Sequence, residues 1–288
     1  METRWLYVTS HELAELREKS QGICVIPMGC VEKHGPHLPL GTDIIQASGI
    51  AYEASKMETF TVFPDFTFGD YPCNSPFRPA GSITLKLETE ILLLEEMCQQ
   101  ISRNGFRKIL VYNYHGGNVN WLEAFLRKLC NKEHDYMFAY VSARLPVPNN
   151  MAKYLLKNGS GSIPELTKED EEIILKKFEE NYQGGHACMG EIANILALAP
   201  ESVHPDRYLQ ESGKSAHETD CFREARIHIA AGGWDVDYPN NYSGDDPTGV
   251  NERMGKASVR MEAEGLAKAV RVIKADTNWE KWHEKYWL

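Results

Sequence analysis

Residues 31–43, VEKHGPHLPLGTD, put Glu32, His34, His37 and Asp43 into thirteen positions, together with two prolines and two glycines. Carboxylates and imidazoles are costly to bury. A stretch that crowds them, yet is too broken for a long helix or a plain strand, therefore reads as a site. Glu32 and His34 stand two apart, just past an apolar run. In extended backbone, positions i and i+2 point the same way, so both side chains can reach one point. Asp43 lies beyond the turn, at the start of a helical pattern. The helix dipole favours a carboxylate there, although such a carboxylate is also an ordinary first-turn residue. A second apolar run ends in YHGGN and delivers His115 beside Gly116 and Gly117. Those glycines let backbone come close to a ligand. Later, GGHACMGE supplies His186 and Glu191. Two carboxylates, two imidazoles and a further glutamate suit a hard-to-borderline divalent metal. With two metals, a bridging aspartate would hold the ions ~3.5–4 Å apart, and a trapped hydroxide would attack a carbonyl. Without metal, the clustered carboxylates are expected to repel one another and shift upward in pKa. A lone histidine after a strand, or a lone Glu-x-His, means little. The argument rests on two strand ends converging on one edge.

The elements needed to place these residues follow from the apolar pattern. GICVIPMG (22–29), TFTVFP, RKILVYN and YMFAYVSA read as strands. TDIIQASGIAYEASK reads as a helix with Thr42 as its N-cap. LETEILLLEEMCQQISRNG reads as a helix with an apolar face of Ile91, Leu94, Cys98 and Ile101, closed by Gly105. NVNWLEAFLRKLCNK supplies the next helix. This alternation predicts an α/β fold, a three-layer α/β/α sandwich with a mainly parallel central sheet. Ligands in such folds collect at the carboxyl ends of the strands. Residues 146–164 break the rhythm and read as a loop, a lid or an insertion. A charged helix over 164–183, a helix in HACMGEIANILALAP, a turn-rich loop at 232–249 and a last long helix from Asn251 complete the chain. With no repeat or flexible linker evident, residues 1–288 read as one domain. Trp279, Trp282 and Tyr286 share one face of a terminal helix and are expected to pack on the body or on a neighbouring subunit.

Composition narrows the function classes. The formal net charge is −10 and no basic patch stands out, so a nucleic-acid partner is not expected. No run approaches the ~20 apolar residues of a membrane span, and the N-terminus lacks an apolar signal core. The seven cysteines are scattered, with no CxxC pair. They suggest reduced thiols in a cytoplasm, without a zinc ribbon or disulfide framework.

Three segments carry a family likeness. MGCVEKHGPHLPLGTD resembles the signature of the creatininase (creatinine amidohydrolase) family, NYHGGN its second motif, and GGHACMGEIANILALAP its third. AGSITL and GDDPTGVNERMGKA are similar to weaker family segments, so the likeness spans Gly22 to about Val270. The resemblance implies a two-metal site holding Zn, Mn or Fe, and assembly as a homohexamer. Matched by motif, Glu32, His34, Asp43 and His115 are metal ligands with Asp43 the bridge, and Glu191 is the fifth. His186 matches a histidine near the substrate, a candidate general acid for the leaving group. In creatininase proper the corresponding glutamate follows the second-motif histidine, where this chain has Gly117, so Glu191 rests on the wider family. The chain departs at Met189, which replaces the third motif's first glutamate, and at Ile192–Ala193, which replaces Thr-Ser. Any acid/base role at position 189 is thereby lost, which argues against creatinine itself. His37 either orients a ligand carboxylate or buttresses the turn. Arg78 could clamp an anionic substrate group, though an arginine there is more often a surface or interface residue. Cys188 reads as a small packing residue.

Three functions compete. The first is metal-dependent hydrolysis of a C–N bond in a small cyclic amide or formamide. The second uses the same site to open a cyclic polyol diketone, of the 3-dehydro-scyllo-inosose type, by C–C hydrolysis. The third is a non-catalytic ligand-binding protein on the same fold. It ranks last, because clustered carboxylates are costly to keep without a metal.

Overall fold

The computed structural model describes residues 1–71, 79–229 and 233–287, with side chains described as far as 285. Four strands form the sheet: β1 (Ile23–Met28), β2 (Thr61–Val62), β3 (Lys108–Asn113) and β4 (Met137–Ser142). All pair in parallel, in the order β2-β1-β3-β4. Every residue of β1 is buried, as a parallel strand covered on both faces requires. Pro27 is tolerated in this central strand because its nitrogen faces the side where β2 has already ended at Val62. The chain there still donates Phe66 N–H to Pro27 O at 2.8 Å.

The helices follow from the same pattern; α1 (Ser10–Lys19) precedes β1, and α8 (Asp220–Glu224) and α9 (Gly233–Asp237) are short helices late in the chain. On one face, α2 (Thr42–Met57) and the long α10 (Glu252–Ala275) pack on Ile23 and Val25 of β1 and Leu110 and Tyr112 of β3. On the other, α3 (Leu87–Arg103) and α4 (Asn118–Leu129) pack on Cys24, Ile26, Ile109 and Val111. Alternate strand residues thus feed opposite layers, giving the expected α/β/α arrangement. Strand order reverses between β1 and β3, and connections leave their carboxyl ends in opposite directions. A crevice opens at such a switch point.

Three local readings change. Thr42 is the first residue of α2 and not its N-cap, which is Gly41; the Thr42 hydroxyl instead donates to Pro39 O at 2.6 Å. Residues 146–164 are not simply loop, because Asn149–Asn158 forms helix α5 and buries Met151, Ala152 and Leu155. The flanking Pro, Gly and Ser residues masked a short amphipathic helix. The turn-rich stretch at 232–249 contains a short helix over Gly233–Asp237. At the C-terminal end, Trp282 is exposed, while the Tyr286 side chain lies outside the described residues. Among the described residues no helix is long and apolar enough to cross a membrane.

The charged helix α6 (Lys168–Glu179) is tied down by one carboxylate. Asp170 completes a capping box with Thr167 and accepts Arg253 Nε at 2.6 Å, Arg253 Nη2 at 2.8 Å and Asn251 Nδ2 at 2.7 Å. Asp170→Asn is expected to lower unfolding stability by about 2 kcal/mol, discounted for the exposed arginine. Urea denaturation at neutral pH measures it. The Arg253 bond, first among its partners, holds the Asp170 carboxyl well below the usual range. Its stabilisation is therefore complete above the unfolded value of about 3.9 and fades as pH falls through the depressed folded value. The gap between native and variant should shrink in acid.

Candidate metal centre

Residues leaving β1 and β3 meet in the switch-point crevice. From the β1 side come Glu32 and His34, and Asp43 follows in the first turn of α2. His115 sits two residues past β3. Glu191 sits in the first turn of α7 (Met189–Leu198), and His186 precedes that helix. Glu32, His34, Asp43, His115 and Glu191 are all buried.

Asp43 stands between two groups of donors. Its Oδ1 lies 3.1 Å from His34 Nε2, which in turn lies 3.8 Å from Glu191 Oε1. Its Oδ2 lies 3.2 Å from His115 Nδ1, which lies 2.7 Å from Glu32 Oε1. His186 Nδ1 is 4.0 Å from the same Glu32 oxygen, and its ring stacks on His34 with centroids 4.0 Å apart. Grouped by donor atoms within 4.8 Å of one another, His34, Asp43 and Glu191 form one set that could hold an ion. Glu32, His115 and Cys30 form a second, and Glu32, His34 and His186 a third.

The imidazoles are oriented from outside. His34 Nδ1 bonds Glu32 O at 3.2 Å, His115 Nε2 bonds Asp70 O at 2.9 Å, and His186 Nε2 bonds Lys33 O at 2.8 Å. A carbonyl only accepts, so each of these nitrogens carries the proton. The opposite nitrogen of each ring faces inward, the arrangement that prepares histidine for a metal. The carboxylates are aimed too: Asp43 Oδ2 accepts Cys30 N–H at 3.2 Å, and Glu191 Oε2 accepts Ala187 N–H at 2.5 Å. Glu32 Oε1 is buried and faces His115 Nδ1 at 2.7 Å. Converging O and N donors with their outer atoms already engaged fit divalent ions.

Electrostatics departs from the expected general rise in carboxylate pKa. Burial pushes Asp43 and Glu32 upward, but facing imidazoles outweigh it, and both fall below the ordinary range. Burial lifts Glu191 to about 7, with His34 pulling the other way. Burial opposes a charge on His34, yet Glu191 and Asp43 outweigh it and raise the ring to about 10. His115 is raised similarly, Glu32 and Asp43 overcoming its burial. His186 is the opposite case: burial, helped by His34, pushes it down to about 4. Protons on His34 and His115 thus occupy the places where cations would sit, and Asp43 and Glu32 stay ionised around them.

The glycines after His115 play separate parts. A Cβ at Gly117 would lie 2.2 Å from Asp70 O and 2.6 Å from His115 Nε2, whereas one at Gly116 would meet nothing within 4 Å. Gly117 thus permits the Asp70 carbonyl to reach the imidazole, and Gly116 lines open space. His37 does not touch a ligand carboxylate. Its Nε2 bonds Ala187 O at 2.8 Å, and its ring packs edge-on to Tyr208 and Tyr242, so it braces the backbone between His186 and Glu191. Cys188 is buried, and burial lifts its thiol to about 11. Met189 is fully buried in an apolar cluster with Met151 and Ala193. Arg78 lies outside the described residues.

A cavity of about 380 Å³ opens over the cluster, with Asp70, Tyr71, Trp234 and Asp235 in its walls. Trp234 meets the His186 ring edge-on at 5.2 Å. Sequence reading singled out none of these four, nor Cys30, whose thiol burial raises to about 12. Trp234 followed by an acidic residue in an otherwise turn-rich stretch was the one available signal.

The chain is similar to known proteins over most of its length. The family model for creatininase, described as creatinine amidohydrolase, matches residues 7–270. The 3-dehydro-scyllo-inosose hydrolase of Thermotoga maritima is 28% identical over 152 residues, 44% of this chain and 49% of that protein. The mycofactocin precursor peptide peptidase of Mycobacterium tuberculosis is 32% identical over 108 residues, 34% of this chain and 42% of that protein. The matches therefore cover less than half the length of either curated relative. A mutant creatininase of Zn-Zn type superposes with a TM-score of 0.69 at 17% identity, covering 96% of this chain and 100% of that one. A creatininase in a Mn form gives 0.66 at 17% identity, with the same coverage. At such identities the likeness shows the fold.

Proposed function

The chain belongs to the creatininase family, and from that premise we propose that it is a divalent-metal hydrolase that attacks the carbonyl of a small cyclic substrate and cleaves a C–N bond. The observation that most supports this reading is the Asp43 carboxylate, whose two oxygens face different histidine–carboxylate sets at 3.1 and 3.2 Å. Asp43 would be shared by two ions, one held with His34 and Glu191 and the other with Glu32 and His115. Divalent ions so held polarise a carbonyl and supply hydroxide at neutral pH. The donor set suits Zn, Mn or Fe.

The residues supply the rest. His186 is neutral at pH 7, its Nε2–H is committed to Lys33 O, and Nδ1 faces the cluster as an acceptor. A proton taken up at Nδ1 during attack can be handed to the departing atom. Trp234 and Tyr71 line one side of the cavity, and about 380 Å³ admits a ring-sized molecule. His186→Ala should lower kcat by about a hundredfold or more while leaving bound metal unchanged, since its role is proton transfer. Metal analysis beside steady-state kinetics checks both halves. Loss of metal with activity would make His186 a ligand instead.

A second reading has its own support. Met189 offers no acid or base where the family's glutamate stands, and the Thermotoga relative is named for a diketo-inositol substrate. On this reading the site opens a cyclic polyol diketone at a C–C bond, with His186 protonating the carbon-based leaving group. Metal-replete protein assayed on cyclic amides, formamides and cyclic diketones separates the two. Release of amine, ammonia or formate supports the first. Ring opening of the diketone without nitrogen release supports the second. Metal-bound protein that turns over none of these would leave a ligand-binding role.

A further inference from the structure

Behind the cluster, on the sheet face covered by α2 and α10, lies a second polar group that the proposed chemistry does not use. Glu262 of α10 is buried, and its carboxylate receives donors from several elements. Tyr114 Oη donates to Oε1 at 2.6 Å, Tyr112 Oη to Oε2 at 3.2 Å, and Asn194 Nδ2 to Oε1 at 3.0 Å. Asn194 Nδ2 also donates to Gln46 Oε1 at 3.0 Å. Gln46 and Asn194 are fully buried.

The sequence positions of these partners give the arrangement its meaning. Gln46 stands three residues after Asp43 on α2, and Asn194 three residues after Glu191 on α7. Residues i and i+3 share a helix face one turn apart. Tyr114 immediately precedes His115. The three elements that deliver Asp43, Glu191 and His115 are therefore each gripped within one turn, or one residue, of the delivered side chain. Glu262 of α10 holds Tyr114 and Asn194 directly and reaches α2 through the Asn194–Gln46 bond, and α10 is itself fixed: a Cβ at Gly255 would lie 1.9 Å from Ala193 O of α7. A buried carboxylate among apolar side chains is expensive, and one that satisfies donors from several elements fixes their mutual register.

We infer that Glu262 is a positioning residue for the metal centre, holding α2, α7 and the end of β3 at the spacing that lets Asp43, Glu191 and His115 share ions. This rests on the reading that those residues bind divalent metal. An amide at position 262 can still accept at one atom. Its other atom donates, and it would face a hydroxyl or N–H that needs an acceptor.

The test is metal affinity of the full chain, read by competition of Mn²⁺ or Zn²⁺ against a chromophoric chelator. Glu262→Gln is compared with Ser258→Ala, a buried change one turn earlier on the same helix. Thermal midpoints of the metal-free proteins are measured alongside. Glu262→Gln should weaken the ions about tenfold or more, as loss of support behind a ligand does, and Ser258→Ala should leave affinity within about twofold. A residue with a merely structural role would lower the midpoint and leave the affinity of the folded protein intact, and that result overturns the inference. Tyr114→Phe removes one of the same bonds. If Glu262→Gln fails to fold, unchanged affinity in Tyr114→Phe overturns the inference, and weakened affinity supports it. Absence of divalent binding by the native protein would instead sink the metal-centre reading itself.

Discussion

Asp43→Asn should cost about a thousandfold or more in kcat/KM on whichever carbonyl substrate the native protein turns over, because metal stabilisation of developing charge is worth several kcal/mol. The effect is expected to exceed that of any other single ligand. Both carboxylate oxygens are engaged, one toward His34 at 3.1 Å and one toward His115 at 3.2 Å. Asparagine keeps one oxygen and presents an amide nitrogen on the other side, so one of the two donor sets loses its shared member. The Cys30 N–H that now bonds Oδ2 would retain an acceptor only if the amide oxygen turned toward it, away from His34. Metal content should fall from two ions to one or none. Kinetics and metal analysis on the same preparation check the pair of outcomes. Full activity with one ion bound would show that the reaction needs no shared carboxylate.

Gly117→Ala is the second large effect, and Gly116→Ala is its control. An alanine at 117 puts a methyl carbon 2.2 Å from Asp70 O and 2.6 Å from His115 Nε2, closer than real atoms approach. The bond from His115 to that carbonyl, 2.9 Å long, must break or its ring must turn. Loss of such support costs roughly 10–100-fold in metal affinity, and movement of Nδ1 adds to that. At Gly116 a methyl meets nothing within 4 Å. Gly116→Ala should therefore bind metal normally and act only on substrate, through KM. Metal competition and steady-state kinetics on both variants make the comparison. Equal metal affinity in the two would remove the structural account of the second motif.

Much of this is legible in the sequence. The alternation of apolar runs and helical patterns led to the parallel α/β/α fold, because a parallel sheet buries its strands on both faces and leaves unbroken runs such as ICVIPM. Glu32, His34, Asp43 and His115 were legible because two strand ends and a helix start lie close to them in sequence. Glu191 was less so. It reaches the cluster through a turn in which Ala187 takes φ +56, and no spacing rule predicts where the next helix then begins. GGHACMGE offered it as a candidate, and the family's third motif made it the fifth ligand. Beyond Trp234–Asp235 in its turn-rich stretch, the outer wall left no signal in the sequence. Asp70 comes from a loop and Trp234 from a short helix inside a turn-rich stretch, and the paths of both depend on packing between distant segments, of which local sequence carries little record. Glu262 was hidden differently, since a glutamate in a charged helix pattern reads as a solvated residue. Its burial follows from α10 lying against α2 and α7, which periodicity does not place.

The central claim is that Asp43 is shared between two ions. Crystals of the full chain grown with Mn²⁺ or Zn²⁺, with data collected at that metal's absorption edge, test it most directly. The account predicts two anomalous peaks, ~3.5–4 Å apart as in two-metal sites, one beside Asp43 Oδ1, His34 and Glu191 and the other beside Asp43 Oδ2, Glu32 and His115. A single peak, or peaks away from Asp43, would contradict it.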